Sequence, residues 1–179
     1  MTPVTGAVLA GPDVAAFRGA MGRFPTGVTL LTQGSGDDTI VMTLNSLTSV
    51  SLDPVLILVS VKADGRMRPR VAQSGTYAVN VLREEQRPLA QEFCRPNRLE
   101  GEAAMARLGA VEGVTGSAVI PSAEAYFECT LEATYEAGDH ALLIGRVVAF
   151  SGGSGASDPL VFHQGRFTSL PAVAEAAAA

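Results

Sequence analysis

From Asp13 to Arg23, Phe17, Ala20 and Met21 recur at helical spacing behind Asp13, a natural N-cap, and Pro25 closes the segment. That pattern predicts a first helix. Apolar runs of strand length then follow one another, at Val28–Thr32, Thr39–Leu44, Val55–Val61 and Thr76–Leu82, with Val55–Val61 reading as a buried strand. GSGDD, Gly34–Asp38, has the composition of a hairpin turn. Gly65 to Gln73 predicts a short helix capped by Asp64, and Glu84 to Cys94 a second helix whose first acids suit its N-terminus. Arg95–Gly116 is polar and partly Gly-rich, and reads as a mobile or ligand-covering loop. Strands at Ala125–Tyr135 and Ala141–Phe150 are joined by the tight turn EAGDH. A short hairpin, Leu160–Phe162 with Arg166–Thr168, ends the series. Strands do not alternate with helices, so the expected fold is mainly β with a few helices. A closed or half-closed antiparallel barrel is its natural form, because closure removes exposed edges. Residues 1–12 and the closing run 171–179 read as loose ends around one domain, 13–170.

Composition narrows the chemistry. The chain has 179 residues, 47% apolar and 17% charged, enough for one domain with a sizeable core. Its net charge of −5 argues against nucleic acid, which asks for a basic face. Arg66, Arg68 and Arg70 nonetheless sit together as a candidate local anion site. The two cysteines, Cys94 and Cys129, lack the short spacing of a zinc ribbon or CxxC site. The start MTPVTGAVLAGPD lacks a basic, apolar leader and no run nears eighteen apolar residues, so neither export nor a membrane span is expected and a cytoplasmic location is. There is no GxSxG elbow and no HExxH, so a hydrolase nucleophile or a catalytic metal finds no support. GGSG at Gly152–Gly155 leads to Asp158–Pro159 and reads as a turn.

The sharpest feature is TLNSLTSVS. Thr43, Asn45, Ser46, Thr48, Ser49 and Ser51 put six hydroxyl or amide side chains into nine positions, directly before an apolar strand. Two readings are open. One is a polar turn before an edge strand, with Ser and Thr satisfying local backbone groups. The other is a cradle for a planar heteroaromatic, polar along its edge and supported on an apolar strand. His140, in GDH, is either a surface turn histidine or a ligand contact, and His163 fits a structural hydrogen bond.

Six ordered stretches resemble the short-chain flavin reductases, the reductase components of two-component flavin monooxygenases. They are FRGAMGRFPTGVTLLT (Phe17–Thr32), MTLNSLTSVSLDPVLILVSV (Met42–Val61), YAVNVL (Tyr77–Leu82), LAQEF (Leu89–Phe93), AGDHALLIGRV (Ala137–Val147) and PLVFHQGRF (Pro159–Phe167). The resemblance implies a flavin-binding split β-barrel and a homodimer. It implies that Thr43, Leu44, Asn45 and Ser46 line the isoalloxazine, with Ser49 in the same polar run. Ser60 and the following turn, with Arg66, would lie towards the ribityl and phosphate of FMN or FAD, and His140 near the nicotinamide of NADH or NADPH. Reduced flavin would pass to a flavin-dependent monooxygenase. The turn Lys62-Ala63-Asp64-Gly65-Arg66-Met67 departs from the family pattern, since Asp64 and Met67 stand where small hydroxyl residues are expected. The same fold also fits an enzyme repurposed for another small aromatic or polyketide-like substrate, or a non-catalytic ligand carrier.

Overall fold

The structure is a computed structural model and is described here for Gly11, residues 13–152 and residues 158–170. The two expected tails, and Gly153–Gly155 of the GGSG stretch, lie outside the described residues save Gly11. Helix α1, Val14–Met21, begins where Asp13 accepts the Ala15 N–H at 2.9 Å. Strands β1 (Thr26–Gly27), β2 (Thr29–Gln33), β3 (Ile40–Leu44), β4 (Thr48–Leu52) and β5 (Val55–Lys62) follow. Helix α2 (Met67–Ser74), β6 (Thr76–Val81), α3 (Arg87–Phe93) and α4 (Gly101–Leu108) come next. Strands β7 (Val111–Glu112), β8 (Ala118–Val119), β9 (Ala125–Ala137), β10 (His140–Gly152), β11 (Leu160–His163) and β12 (Arg166–Ser169) complete the described chain.

Seven strands form one antiparallel sheet in the order β3-β2-β6-β9-β10-β5-β4. Its edge strands, β3 and β4, are neighbours in sequence, joined only by Asn45, Ser46 and Leu47. From Leu44 to Thr48 an extended chain reaches at most about 14 Å. The sheet therefore curls until its two edges nearly meet, a barrel split along one seam. The short link across the seam is the polar stretch of the sequence.

Alternation along the strands divides the core in two. Leu30 joins Leu82, Phe93, Leu108, Ile120 and Leu160 beneath α3 and α4. Leu31, next in β2, joins Val59, Val61, Val71, Tyr77, Val79 and Leu143 beneath α2. Strand β5 is not buried throughout: Ile57, Val59 and Val61 face the core, while Leu58 and Ser60 are half-buried and Lys62 is exposed. Its other face is what the cleft uses.

Several expectations change. Asp64 does not cap α2, where Arg66 holds the N-cap position without a side-chain bond. Thr48–Leu52 is a strand that its Ser-rich composition hid, since an edge strand with mostly exposed side chains needs no apolar alternation. The region 95–116 is not simply a loop. It carries α4, whose buried Ala104 and Leu108 close one core and whose end is set by Gly109 in the left-handed conformation. Arg66, Arg68 and Arg70 do not form one anion site. Arg66 pairs with Glu100, Arg68 with Glu136, and Arg70 with Asp38 and, through Nε at 2.9 Å, with Gln33.

Both cysteines are free thiols, Cys94 exposed and Cys129 buried. Burial pushes the Cys129 thiol up to about 12, so it carries almost no thiolate near neutrality. Native protein is expected to take up one equivalent of iodoacetamide per chain, at Cys94, and two after unfolding, as read by intact mass. Rapid double labelling of native protein would contradict this packing.

Candidate functional site

A cleft of about 600 Å³ opens at the seam, within the range of small-molecule and cofactor sites. One wall is the end of β3 and the link, Met42 to Ser46. The second is the end of β5 with its turn, Ser60 to Met67. Cys94, Pro96 and Arg98 form a third, and His140 stands at the start of β10.

Strand register brings the second wall and His140 together. His140 pairs with Lys62 and Leu142 with Ser60, so Ser60, Lys62 and His140 share the sheet face opposite the core. Ser46 closes the seam on the other side. Its Oγ donates to the Ser60 carbonyl at 3.1 Å and accepts the Ser60 N–H at 2.9 Å. The β4–β5 ladder begins only at Thr48 and Leu58, so Ser46 replaces its missing rung. Thr43 Oγ1 donates to Ala90 O of α3 at 2.8 Å and Asn45 Nδ2 to Thr26 Oγ1 at 3.1 Å. These polar side chains serve the scaffold, and the same residues line the cleft.

Arg98 was not foreseen as a site residue. Its Nε donates to Val41 O at 2.5 Å and its Nη1 to Arg95 O at 3.1 Å. Val41 thus turns its carbonyl outward from the β3 edge. The alternation of an antiparallel strand then turns the N–H and C=O of Thr43 the same way. Burial first, and then the charge of Arg66, hold the Arg98 guanidinium below the usual arginine range, although it stays protonated at neutral pH. The signal in the sequence was the basic run CRPNR directly after a helix, inside a segment read only as a covering loop.

His140 is half-buried, and its Nδ1 lies 2.8 Å from Asp139 Oδ1. That hydrogen bond and the imidazole charge hold the Asp139 carboxyl below its ordinary value. Pairing at Nδ1 leaves Nε2 free for a ligand. Gly138, at φ 65°, makes the turn that presents the pair.

Thr43, Leu44, Asn45, Ser46, Ser60, Arg66 and His140 thus meet in one cleft. Ser49 does not. It lies on β4 beside a separate hollow of about 260 Å³ with Leu52, Val55, Phe127 and Phe150. Asp64 lines the cleft, whereas Met67 is 3% exposed and belongs to the core as well as to the cleft wall. Arg68 is turned away, its Nη1 donating to Ala63 O at 3.2 Å and its Nη2 paired with Glu136. His163 closes the β11–β12 hairpin opposite Arg166 and does not line the cleft. Among the described residues no group of three or more His, Cys, Asp or Glu side chains is placed to hold a metal.

The donor set suits a flavin. Backbone groups at Thr43 and short hydroxyls would meet a ring edge rich in donors and acceptors, apolar Met42, Leu44 and Val61 would back it, and Lys62, Arg66 and Arg98 would suit a phosphate.

The strands thus form an antiparallel barrel split along a polar, cation-flanked seam. The chain belongs to the flavin reductase like domain family, whose model matches residues 21–171. It is 43% identical over 159 residues to the NADH-dependent FMN reductase AsuE2 of Streptomyces nodosus subsp. asukaensis, covering 89% of this chain and 86% of that protein. It is 31% identical over 160 residues to the flavin-dependent monooxygenase reductase subunit HsaB of Rhodococcus jostii (strain RHA1), covering 88% and 78% of the two chains. The crystal structure of BorF, the flavin reductase component of a bacterial two-component tryptophan halogenase, superposes with a TM-score of 0.83 at 39% identity, covering 89% of this chain and 99% of that one.

Proposed function

We propose that this protein oxidises NADH, reduces FMN or FAD, and releases the reduced flavin to a partner flavin-dependent monooxygenase. The observation that carries this reading is the seam cleft. It joins a ring-sized polar cradle, a cationic end and His140 in a chain of this family.

When bound, flavin supplies the acceptor for the nicotinamide hydride. The protein's task is to position and to exclude water. Thr43 to Ser46 would hold the ring edge, with the outward N–H of Thr43 available to donate where negative charge develops. Ser60 and the turn to Arg66 would hold the ribityl and phosphate end. His140, oriented by Asp139, would present Nε2 to the nicotinamide. With such alignment the rate comes from geometry at the two rings and asks for no protein nucleophile.

The protein acts as a homodimer. In support, Phe17, Phe24, Leu52 and Phe150 are 57%, 66%, 85% and 70% exposed, large apolar side chains that a subunit interface would cover. Light scattering is expected to give twice the mass of one chain, and a monomer at working concentration would remove the dimer. A nicotinamide reductant supports a cytoplasmic location, and no helix among the described residues is long and apolar enough to cross a membrane.

Activity is tested by following NADH absorbance with catalytic protein and free FMN, with FAD and NADPH in parallel arms. Flavin-dependent NADH loss is expected, and its absence in every arm would refute the reading.

A further inference from the structure

The charges around the cleft do not balance in the way a tight phosphate site would. Lys62, Arg66 and Arg98 line it, and so does the carboxylate of Asp64. Arg66 is not free to meet a ligand. Its Nη2 lies 2.5 Å from Glu100 Oε1, and the two side chains are 58% and 39% exposed. Glu100 also supports the charge of Arg98, which Arg66 opposes. One carboxylate therefore serves both guanidinium groups at the cationic end. It sits just before α4, whose first residue, Gly101, is fixed by donating its N–H to Thr39 O at 2.8 Å. Glu100 makes no capping bond to that helix, so its side chain is committed to the ion pair and not to the fold.

We propose that Glu100 is an affinity-setting residue for the flavin phosphate. It holds Arg66 in an ion pair that the phosphate must displace, so that FMN binds weakly and reduced flavin leaves readily. The inference rests on the flavin reading above and adds a residue that does not itself touch the flavin. The ion pair is partly exposed, so its rupture costs little and the effect is a modest change in affinity, not an on–off switch. Asp64 adds to the same opposition from the cleft wall.

The test is fluorescence titration of the full chain with FMN and, separately, with riboflavin, which lacks the phosphate. Glu100→Gln is expected to tighten FMN about two- to fivefold at low salt and to leave riboflavin unchanged. Glu100→Asp, which keeps the charge, is expected to restore binding towards wild type. In Glu100→Gln with Arg66→Gln the gain is expected to vanish. A change at Glu100 that merely loosened the fold would shift both ligands together. Equal shifts, or no shift for FMN in Glu100→Gln, would overturn the proposal while leaving the flavin reading standing. Failure of every form to bind either ligand would overturn both.

Discussion

His140→Ala is expected to slow NADH-driven flavin reduction about a hundredfold while flavin affinity stays within about a factor of two. The cause is positional. His140 opens β10 opposite Lys62, and Asp139 fixes its Nδ1 at 2.8 Å, so Nε2 is the one ring nitrogen left for the nicotinamide. Removing the ring leaves the Thr43–Ser46 wall untouched, because none of the hydrogen bonds of that wall involves His140. Anaerobic stopped-flow reads the reduction step and a fluorescence titration reads affinity. An unchanged rate would take His140 out of the site, and a matching loss of flavin affinity would place it against the flavin instead.

Gly145→Ala is expected to be the most damaging single methyl in the barrel. A Cβ at Gly145 would stand 2.1 Å from Tyr77 Oη, 2.7 Å from Tyr77 Cζ and 2.8 Å from Cys129 Cβ. All three residues lie on adjacent central strands of the sheet, which cannot separate without breaking ladder bonds. Overpacking of this kind costs about 3 kcal/mol, at the upper end of what an added methylene costs in a full core. Urea denaturation measures it. Tyr77→Phe in the same chain is expected to recover part of the loss by deleting the oxygen that meets the new carbon. The Tyr77 hydroxyl is buried against the Cys129 thiol, and burial pushes its ionisation well above the tyrosine range, so the fold gives up no more than a weak sulfur contact with it. An alanine variant that unfolds at the wild-type urea concentration would show that the strands can part there.

Much of the barrel was legible because its strands carry their own signals. Thr76–Val81 and the long β9–β10 hairpin are apolar runs bounded by turn residues, and Asp13 marks a helix start whatever follows. What was not legible depended on partners distant in sequence. Thr48–Leu52 is a strand because β5 pairs with it, and its mostly exposed side chains leave no periodicity to read. Asp64 looked like a helix cap, but the turn ends with Arg66 in that place. The three arginines of α2 and its cap looked like one basic cluster. Helical spacing and three separate acidic partners send them in different directions.

The site shows the same division. The polar link announced itself by composition, and the family resemblance supplied its meaning. Ser49 fell in that run by proximity, yet a strand's alternation and its place beyond the seam put it in another hollow. Arg98 could not be found from spacing. It is held at the cleft by the Val41 carbonyl, on a strand edge distant in sequence, and by Arg95 O.

The most direct test of the account mixes the protein with FMN and NADH under anaerobic conditions and follows flavin absorbance. If the seam cleft aligns nicotinamide and flavin, the flavin bleaches far faster than without protein, mole for mole with NADH consumed, and reoxidises when air is admitted. If a folded protein leaves the flavin oxidised and the NADH intact, hydride transfer is not what this cleft does.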